Sequence, residues 1–152
     1  MKAVLSLGSN LGNKSDNLKQ AIEYLKEIKD IKIEKISSFY NTAAWGKTNQ
    51  DDFLNCGMIL ETDLKPLELL DSMLETETRM GRVRTEKWGP RNIDIDLIFY
   101  DNLVYETERL KVPHPYMQER DFVLICLNEI CPDFVHPVLK KSVAELYKNL
   151  NR

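Results

Sequence analysis

Apolar positions change their spacing from segment to segment along the 152 residues, and each change marks an expected element. Ala3 to Leu7 is a short apolar run that ends in the turn-rich Gly8-Ser9-Asn10-Leu11-Gly12, which predicts a strand and a loop. Leu18, Ala21, Ile22, Leu25 and Ile28 recur at helical spacing, with Ser15 as the expected N-cap. Ile31 to Tyr40 is rich in β-branched and aromatic residues. Its alternation changes phase between Ile33 and Ile36, the pattern a β-bulge produces. Asn41 to Asp52 is a polar loop, long for a hairpin. Phe53 to Glu61 then reads as a strand with Leu54, Cys56, Met58 and Leu60 on one face. Leu64 to Met80 predicts a helix with Pro66 in its first turn and Gly81 at C′. Leu67, Leu70, Leu74 and Glu77 follow one face of it.

A final strand beginning at Asp94 completes the order βαββαβ. That order predicts an α+β fold, a ferredoxin-like antiparallel sheet with helices packed on one side. From about residue 103 the chain adds a C-terminal helical elaboration: an extended stretch, a helix from Arg120 to Glu129, and a last helix from Ser142. Ser142 with Glu145 forms a capping-box pattern. No internal repeat or linker interrupts residues 1–152, so one domain is expected. Successive elements reverse direction, which gathers loops 8–14, 41–52 and 81–92 at one end of the domain. The start of the Asp94 strand lies at that same end, where a rigid scaffold can hold a site on loops.

Composition narrows the class without choosing a function. The apolar fraction is 43%, the charged fraction 30% and the net charge −3, as in ordinary globular proteins. An acidic balance offers no general attraction for nucleic acid or anionic membranes. Phe122 to Leu127, the longest strongly apolar run, is far too short to span a bilayer. A strand this close to the N-terminus leaves no room for a signal peptide. Cys56, Cys126 and Cys131 are odd in number and lack CxxC spacing, which argues against a disulfide framework or a zinc site. A reducing cytoplasm is the expected setting.

The chemistry concentrates in Trp88-Gly89-Pro90-Arg91-Asn92-Ile93-Asp94-Ile95-Asp96-Leu97. On a strand Asp94 and Asp96 share one face, roughly 7 Å apart, with Ile93, Ile95, Leu97 and Phe99 on the other. Two like charges this close suit a hard divalent cation, and Mg²⁺ is commonly held by one or two carboxylates plus substrate phosphates. The same pattern by itself also fits the wet edge of a half-buried sheet. Arg82, Arg84, Lys87 and Arg91 precede the pair within ten residues. Guanidinium forks suit phosphate oxygens. Metal carboxylates beside phosphate-binding cations are what phosphoryl transfer needs. Neither GxxxxGK[ST] nor GxGxxG occurs, which disfavours a P-loop enzyme or a protein kinase.

The run Arg82-Val83-Arg84, Trp88-Gly89-Pro90-Arg91, Asp94-Ile95-Asp96 resembles the signature of the 6-hydroxymethyl-7,8-dihydropterin pyrophosphokinases of folate biosynthesis. Ser37-Ser38-Phe39-Tyr40 with Thr42, Phe53-Leu54-Asn55, Glu108-Arg109-Leu110 and Val112-Pro113-His114 extend the resemblance over most of the chain. It implies transfer of pyrophosphate from ATP to the pterin hydroxymethyl oxygen, with release of AMP. Asp94 and Asp96 would hold two Mg²⁺ ions that arrive with ATP. Arg82, Arg84 and Arg91 would act with them in catalysis. The same residues with Glu77, Lys87, Trp88, Leu97, Arg109, Lys111, His114 and Arg120 would contact ATP. The pterin would lie between the rings of Phe53 and Phe122, with Trp88 closing over it. Asn55 and the loop Thr42-Ala43-Ala44-Trp45 would read its polar edge. Ala43-Ala44 stands where the family often has Pro-Pro, Phe53 where tyrosine is common, and His114 precedes Pro115 instead of an aromatic. ATP and the pterin are the expected partners, without nucleic acid or membrane, and the expected state is a monomer.

Two other classes share parts of the pattern. An RNA-binding RRM uses the same βαββαβ order, but Ala3 to Leu7 lacks an aromatic and the net charge has the wrong sign. A regulatory domain that only binds a metabolite needs no carboxylate pair beside an arginine loop.

Overall fold

The structure is a computed structural model that describes residues 1–42, 52–81 and 92–150. β1 (Lys2–Ser9), β2 (Ile31–Ile36), β3 (Tyr40–Thr42), β4 (Phe53–Thr62) and β5 (Asp94–Tyr100) form one sheet. Its order is β2-β4-β1-β5, with β3 also on β4, and every pairing is antiparallel. This is the ferredoxin-like arrangement expected from the element order. The phase change in the second strand is real. The register of β2 on β4 shifts between Ile33 and Lys35, and the chain leaves the ladder before β3 resumes it at Tyr40.

Helices α1 (Lys14–Lys26) and α2 (Pro66–Arg79) cover one face of the sheet. α1 buries Leu18, Ala21, Ile22 and Leu25 as their spacing requires. Its N-cap is Asn13 and not Ser15: the Asn13 side chain accepts from the Asp16 amide at 3.1 Å. α2 begins with Pro66 at N1, and Gly81 follows it with a φ of 73°. Its buried face is Leu69, Met73, Thr76 and Glu77, while Leu74 is 42% exposed. The expected stripe was therefore displaced by part of a turn; only Glu77 of that set is fully buried.

The second face is not open, contrary to a plan with helices on one side. α3 (Asp121–Ile130) and α4 (Val143–Leu150) pack there, closing a second core of Val4, Ile98, Phe99, Met117, Val123, Leu124, Leu127 and Val143. α3 comes so close to β4 that a Cβ on Gly57 would stand 3.0 Å from Leu127 Cδ2. Phe99 belongs to this second core, correcting its expected place beside Ile95 and Leu97. The cause is a bulge on β5: Val4 pairs with Phe99 but Leu5 pairs with Leu97, so Ile98 is extra and the alternation inverts after it. Before α3, β6 (Tyr105–Glu106) and β7 (Lys111–Val112) form a small hairpin. Ser142 and Glu145 make both capping-box bonds at 3.1 Å, as their spacing predicted.

Candidate active site

Strand pairing builds the site floor. Residues directly opposite in an antiparallel pair project to the same face. Tyr40 faces Asn55, Asn55 faces Gly8, and Gly8 faces Asp94. One row thus carries a phenol, an amide, a gap and a carboxylate across four strands. The next row toward the sheet interior is Gly57, Ser6 and Asp96. The gap at Gly8 is structural. A Cβ there would stand 2.7 Å from Asn55 Oδ1 and 3.4 Å from Phe53 Cδ1. The missing side chain at Gly8 makes room for the Asn55 amide and the Phe53 ring edge to lie against the strand, next to the row position of Asp94. The expected convergence of loops holds where it is described, since Gly8, the Thr42–Phe53 pair and Asn92-Ile93 all lie at this end.

Hydrogen bonds fix the side chains and loops around this row. Asn55 is 2% exposed and its Nδ2 donates to Thr42 Oγ1 at 2.6 Å. Asn17 Nδ2 donates to Ser9 Oγ at 3.1 Å and to the Leu11 carbonyl at 2.8 Å, pinning the first loop. Lys14 Nζ reaches the Asp52 carbonyl and Asn41 Nδ2 its carboxylate, at 3.1 and 3.3 Å. Phe53 and Phe122 are both half-buried.

Asp94 and Asp96 are half-buried on one face of β5, with Ile95 and Leu97 turned into the core. Glu77 is 3% exposed beneath them, and its Oε2 accepts from the Ile95 amide at 2.8 Å. A buried carboxylate thus fixes the residue between the two aspartates. Glu77 was expected at ATP, and its bond to Ile95 adds a supporting role. Leu97, also expected at ATP, is 4% exposed and reaches the floor of the neighbouring cleft from the core. Among the described residues no group of three or more His, Cys, Asp or Glu gathers anywhere. Two carboxylates alone fit a hard ion that draws its remaining ligands from water and phosphate, which is the habit of Mg²⁺.

Beside Asp96 opens a cleft of about 280 Å³, lined by Arg109, Lys111, His114 and Pro115 among others. Arg109 pairs with Asp71 at 2.5 Å and Lys111 with Glu106 at 3.8 Å, both at the exposed rim. His114 lies deeper. Burial and the nearby Arg120 cation, partly opposed by Asp94, push its pKa down to about 4. It is therefore neutral at pH 7. Its Nδ1 accepts from the Tyr116 amide at 3.2 Å, which leaves the proton on Nε2. Pro115 does not deprive His114 of an aromatic neighbour: the Tyr116 ring stands 6.2 Å away, edge on. Arg120 is 9% exposed, with its guanidinium 5.8 Å from the Tyr116 ring and 5.7 Å from the Phe122 ring.

Thus Thr42, Phe53, Asn55, Asp94, Asp96, Arg120 and Phe122 lie along one end and one face. Glu77, Leu97, Arg109, Lys111 and His114 line or underlie the adjoining cleft. Ala43, Ala44, Trp45, Arg82, Arg84, Lys87, Trp88 and Arg91 fall outside the described residues. Sequence reasoning missed Gly8 as a floor and Tyr116 as a partner of His114. A glycine inside an apolar strand was the available signal for the first.

The fold of this chain is shared with solved structures. Chains of Plasmodium falciparum HPPK-DHPS wild type with pteroate superpose with a TM-score of 0.79 over 97% of this chain, at 18% identity. A second structure, HPPK-DHPS in complex with substrates, gives 0.76 at 18%. This chain spans less than half of each, 42% and 43%, and at that identity the likeness concerns the fold. Closer relatives go further. The 2-amino-4-hydroxy-6-hydroxymethyldihydropteridine pyrophosphokinase of Synechocystis is 44% identical over 98% of this chain and 76% of its own length. The enzyme of the same name from Aquifex aeolicus is 45% identical over 93% and 87%. Residues 4–132 match the family model of 7,8-dihydro-6-hydroxymethylpterin-pyrophosphokinase (HPPK), and the chain belongs to that family.

Proposed function

We propose that the protein transfers the terminal pyrophosphate of ATP to the hydroxymethyl oxygen of 6-hydroxymethyl-7,8-dihydropterin, releasing AMP, and so serves folate biosynthesis. The observation that carries this reading is the row Asn55–Gly8–Asp94, which sets an amide and a carboxylate on either side of a glycine on one sheet face. A planar heterocycle laid across this row meets Asn55 on one side and presents its substituent toward Asp94 on the other. Phe53 and Phe122 supply aromatic walls for it.

ATP occupies the cleft beside Asp96, with Arg109, Lys111 and Arg120 opposing its phosphate charge and neutral His114 donating from Nε2. Arg82, Arg84, Lys87 and Arg91 complete the phosphate contacts, and Trp88 with Thr42, Ala43, Ala44 and Trp45 completes the pterin site. Asp94 and Asp96 would hold two Mg²⁺ ions, which would supply charge to neutralise the phosphates and to orient the accepting hydroxyl. Glu77 keeps the two aspartates in register through Ile95. Residues 1–152 act as a single domain and as a monomer in this reading. Free Cys56, Cys126 and Cys131 suit a reducing cytoplasm, and no helix among the described residues is long and apolar enough to cross a membrane.

The test is to incubate the protein with ATP, Mg²⁺ and the reduced hydroxymethylpterin and identify both products. AMP with pterin pyrophosphate supports the reading; ADP, or no turnover, defeats it.

A further inference from the structure

The break between β2 and β3 is held at both ends. On the inner side Ser37 is 4% exposed and bonds Gly57 twice: its amide donates to the Gly57 carbonyl at 2.9 Å, and its Oγ accepts from the Gly57 amide at 2.8 Å. On the outer side the Glu129 carboxylate, near the C-terminal end of α3, accepts from the Ser38 amide at 3.0 and 3.1 Å and from the Tyr40 hydroxyl at 2.5 Å. Bonds to an ionised acceptor are the stronger kind. The Tyr40 hydroxyl, aided by Ser38 and opposed by desolvation, holds the Glu129 carboxyl below its ordinary value.

Both clamped elements lead into the candidate pterin site. Two residues beyond Tyr40, Thr42 anchors Asn55, the amide assigned to the pterin's polar edge. Seven residues before Glu129 along the same helix, Phe122 supplies the opposite aromatic wall. The clamp therefore ties the amide wall to the ring wall, and the close contact of α3 at Gly57 leaves the helix little freedom to compensate.

We propose that Glu129 is a positioning residue for the pterin: by binding Ser38 and Tyr40 it sets the separation between the Thr42–Asn55 wall and the Phe122 ring. This rests on the pterin-site reading given above. It assigns Glu129 no contact with substrate.

Binding of 6-hydroxymethylpterin, measured by fluorescence titration with Mg²⁺ and a non-hydrolysable ATP analogue, reads the separation directly. Glu129→Ala raises the pterin Kd about tenfold, which corresponds to about 1.4 kcal/mol, because the bonds that set the separation are lost. The Kd of the nucleotide stays within twofold. Glu129→Gln, which keeps a carbonyl acceptor, restores pterin binding to within threefold of the parent protein. Asn55→Ala serves as the control for the pocket itself. Strong loss in Asn55→Ala with an unchanged Glu129→Ala overturns the positioning role and leaves the pocket standing. No loss in either overturns the pocket reading and the positioning role together. An equal loss of pterin and nucleotide binding in Glu129→Ala also overturns it. Should Glu129→Ala fail to fold, Tyr40→Phe carries the test: a threefold or greater weakening supports the role, and an unchanged Kd overturns it.

Discussion

Gly8→Ala probes the site floor with the smallest possible side chain. The new Cβ would lie 2.7 Å from Asn55 Oδ1, well inside van der Waals contact, and 3.4 Å from Phe53 Cδ1. Backbone strain plays no part, since Gly8 is not among the residues with positive φ. The amide tip must therefore move. Asn55 is only 2% exposed and bonded to Thr42 at 2.6 Å, so moving it breaks that bond and leaves buried polar atoms poorly paired. Such a group costs about 1–3 kcal/mol, of which the fold absorbs part as a lower Tm. On the proposed pterin placement the displaced amide weakens pterin binding by about 1.4–2.8 kcal/mol, or tenfold to a hundredfold. With ATP in the proposed position beside Asp96, its KM stays within twofold. Steady-state kinetics with each substrate varied in turn, paired with thermal melting, separates these effects. A pterin KM unchanged in a folded Gly8→Ala protein would refute the placement of the ring over Gly8.

Three further outcomes follow from the core. Phe99 is fully buried, with Phe134 4.4 Å away and His136 edge-on at 5.7 Å, so Phe99→Ala costs about 3–5 kcal/mol in urea unfolding; less than 1 kcal/mol contradicts its place in the second core. Burial lowers the His136 pKa from 6.5, and its Nδ1 accepts from the Val138 and Leu139 amides at 3.1 and 3.0 Å. The unfolded chain then binds the proton more readily, so this contribution is present above pH 6.5 and is lost as pH falls through the lower folded value; an NMR titration of His136 at or above the free value contradicts it. Burial pushes the Cys56 and Cys126 thiols up to about 12, so both react with a thiol reagent slowly until the protein unfolds. Prompt labelling of either in the native state would contradict that burial.

Much of the site was legible because β-strand alternation and chain reversal are local rules. Asp94 and Asp96 share a face as spacing requires, and loops separated by dozens of residues meet because each element turns the chain around. The bulge on β2 showed itself as an apolar residue on the wrong parity. The bulge on β5 did not, since Ile98 and Phe99 are both apolar and either parity satisfies the pattern. That ambiguity hid the second core and with it the packing of α3 and α4 on the face that carries the aspartates. The Glu129–Tyr40 bond spans 89 residues and leaves no local trace. Gly57 and Asn55, a glycine and an amide inside a strand, were the visible marks of a helix approaching closely and of a buried polar wall.

The central claim is that the β5 carboxylate pair holds the metal that ATP brings. Mn²⁺ reports this by electron paramagnetic resonance, in titrations of Asp94→Asn and Asp96→Asn with ATP present. Each substitution is expected to weaken retention of Mn²⁺·ATP at least tenfold and to abolish turnover, while the Tm stays within a few degrees of the parent. Near-parental Mn²⁺ retention and turnover in both variants would contradict it.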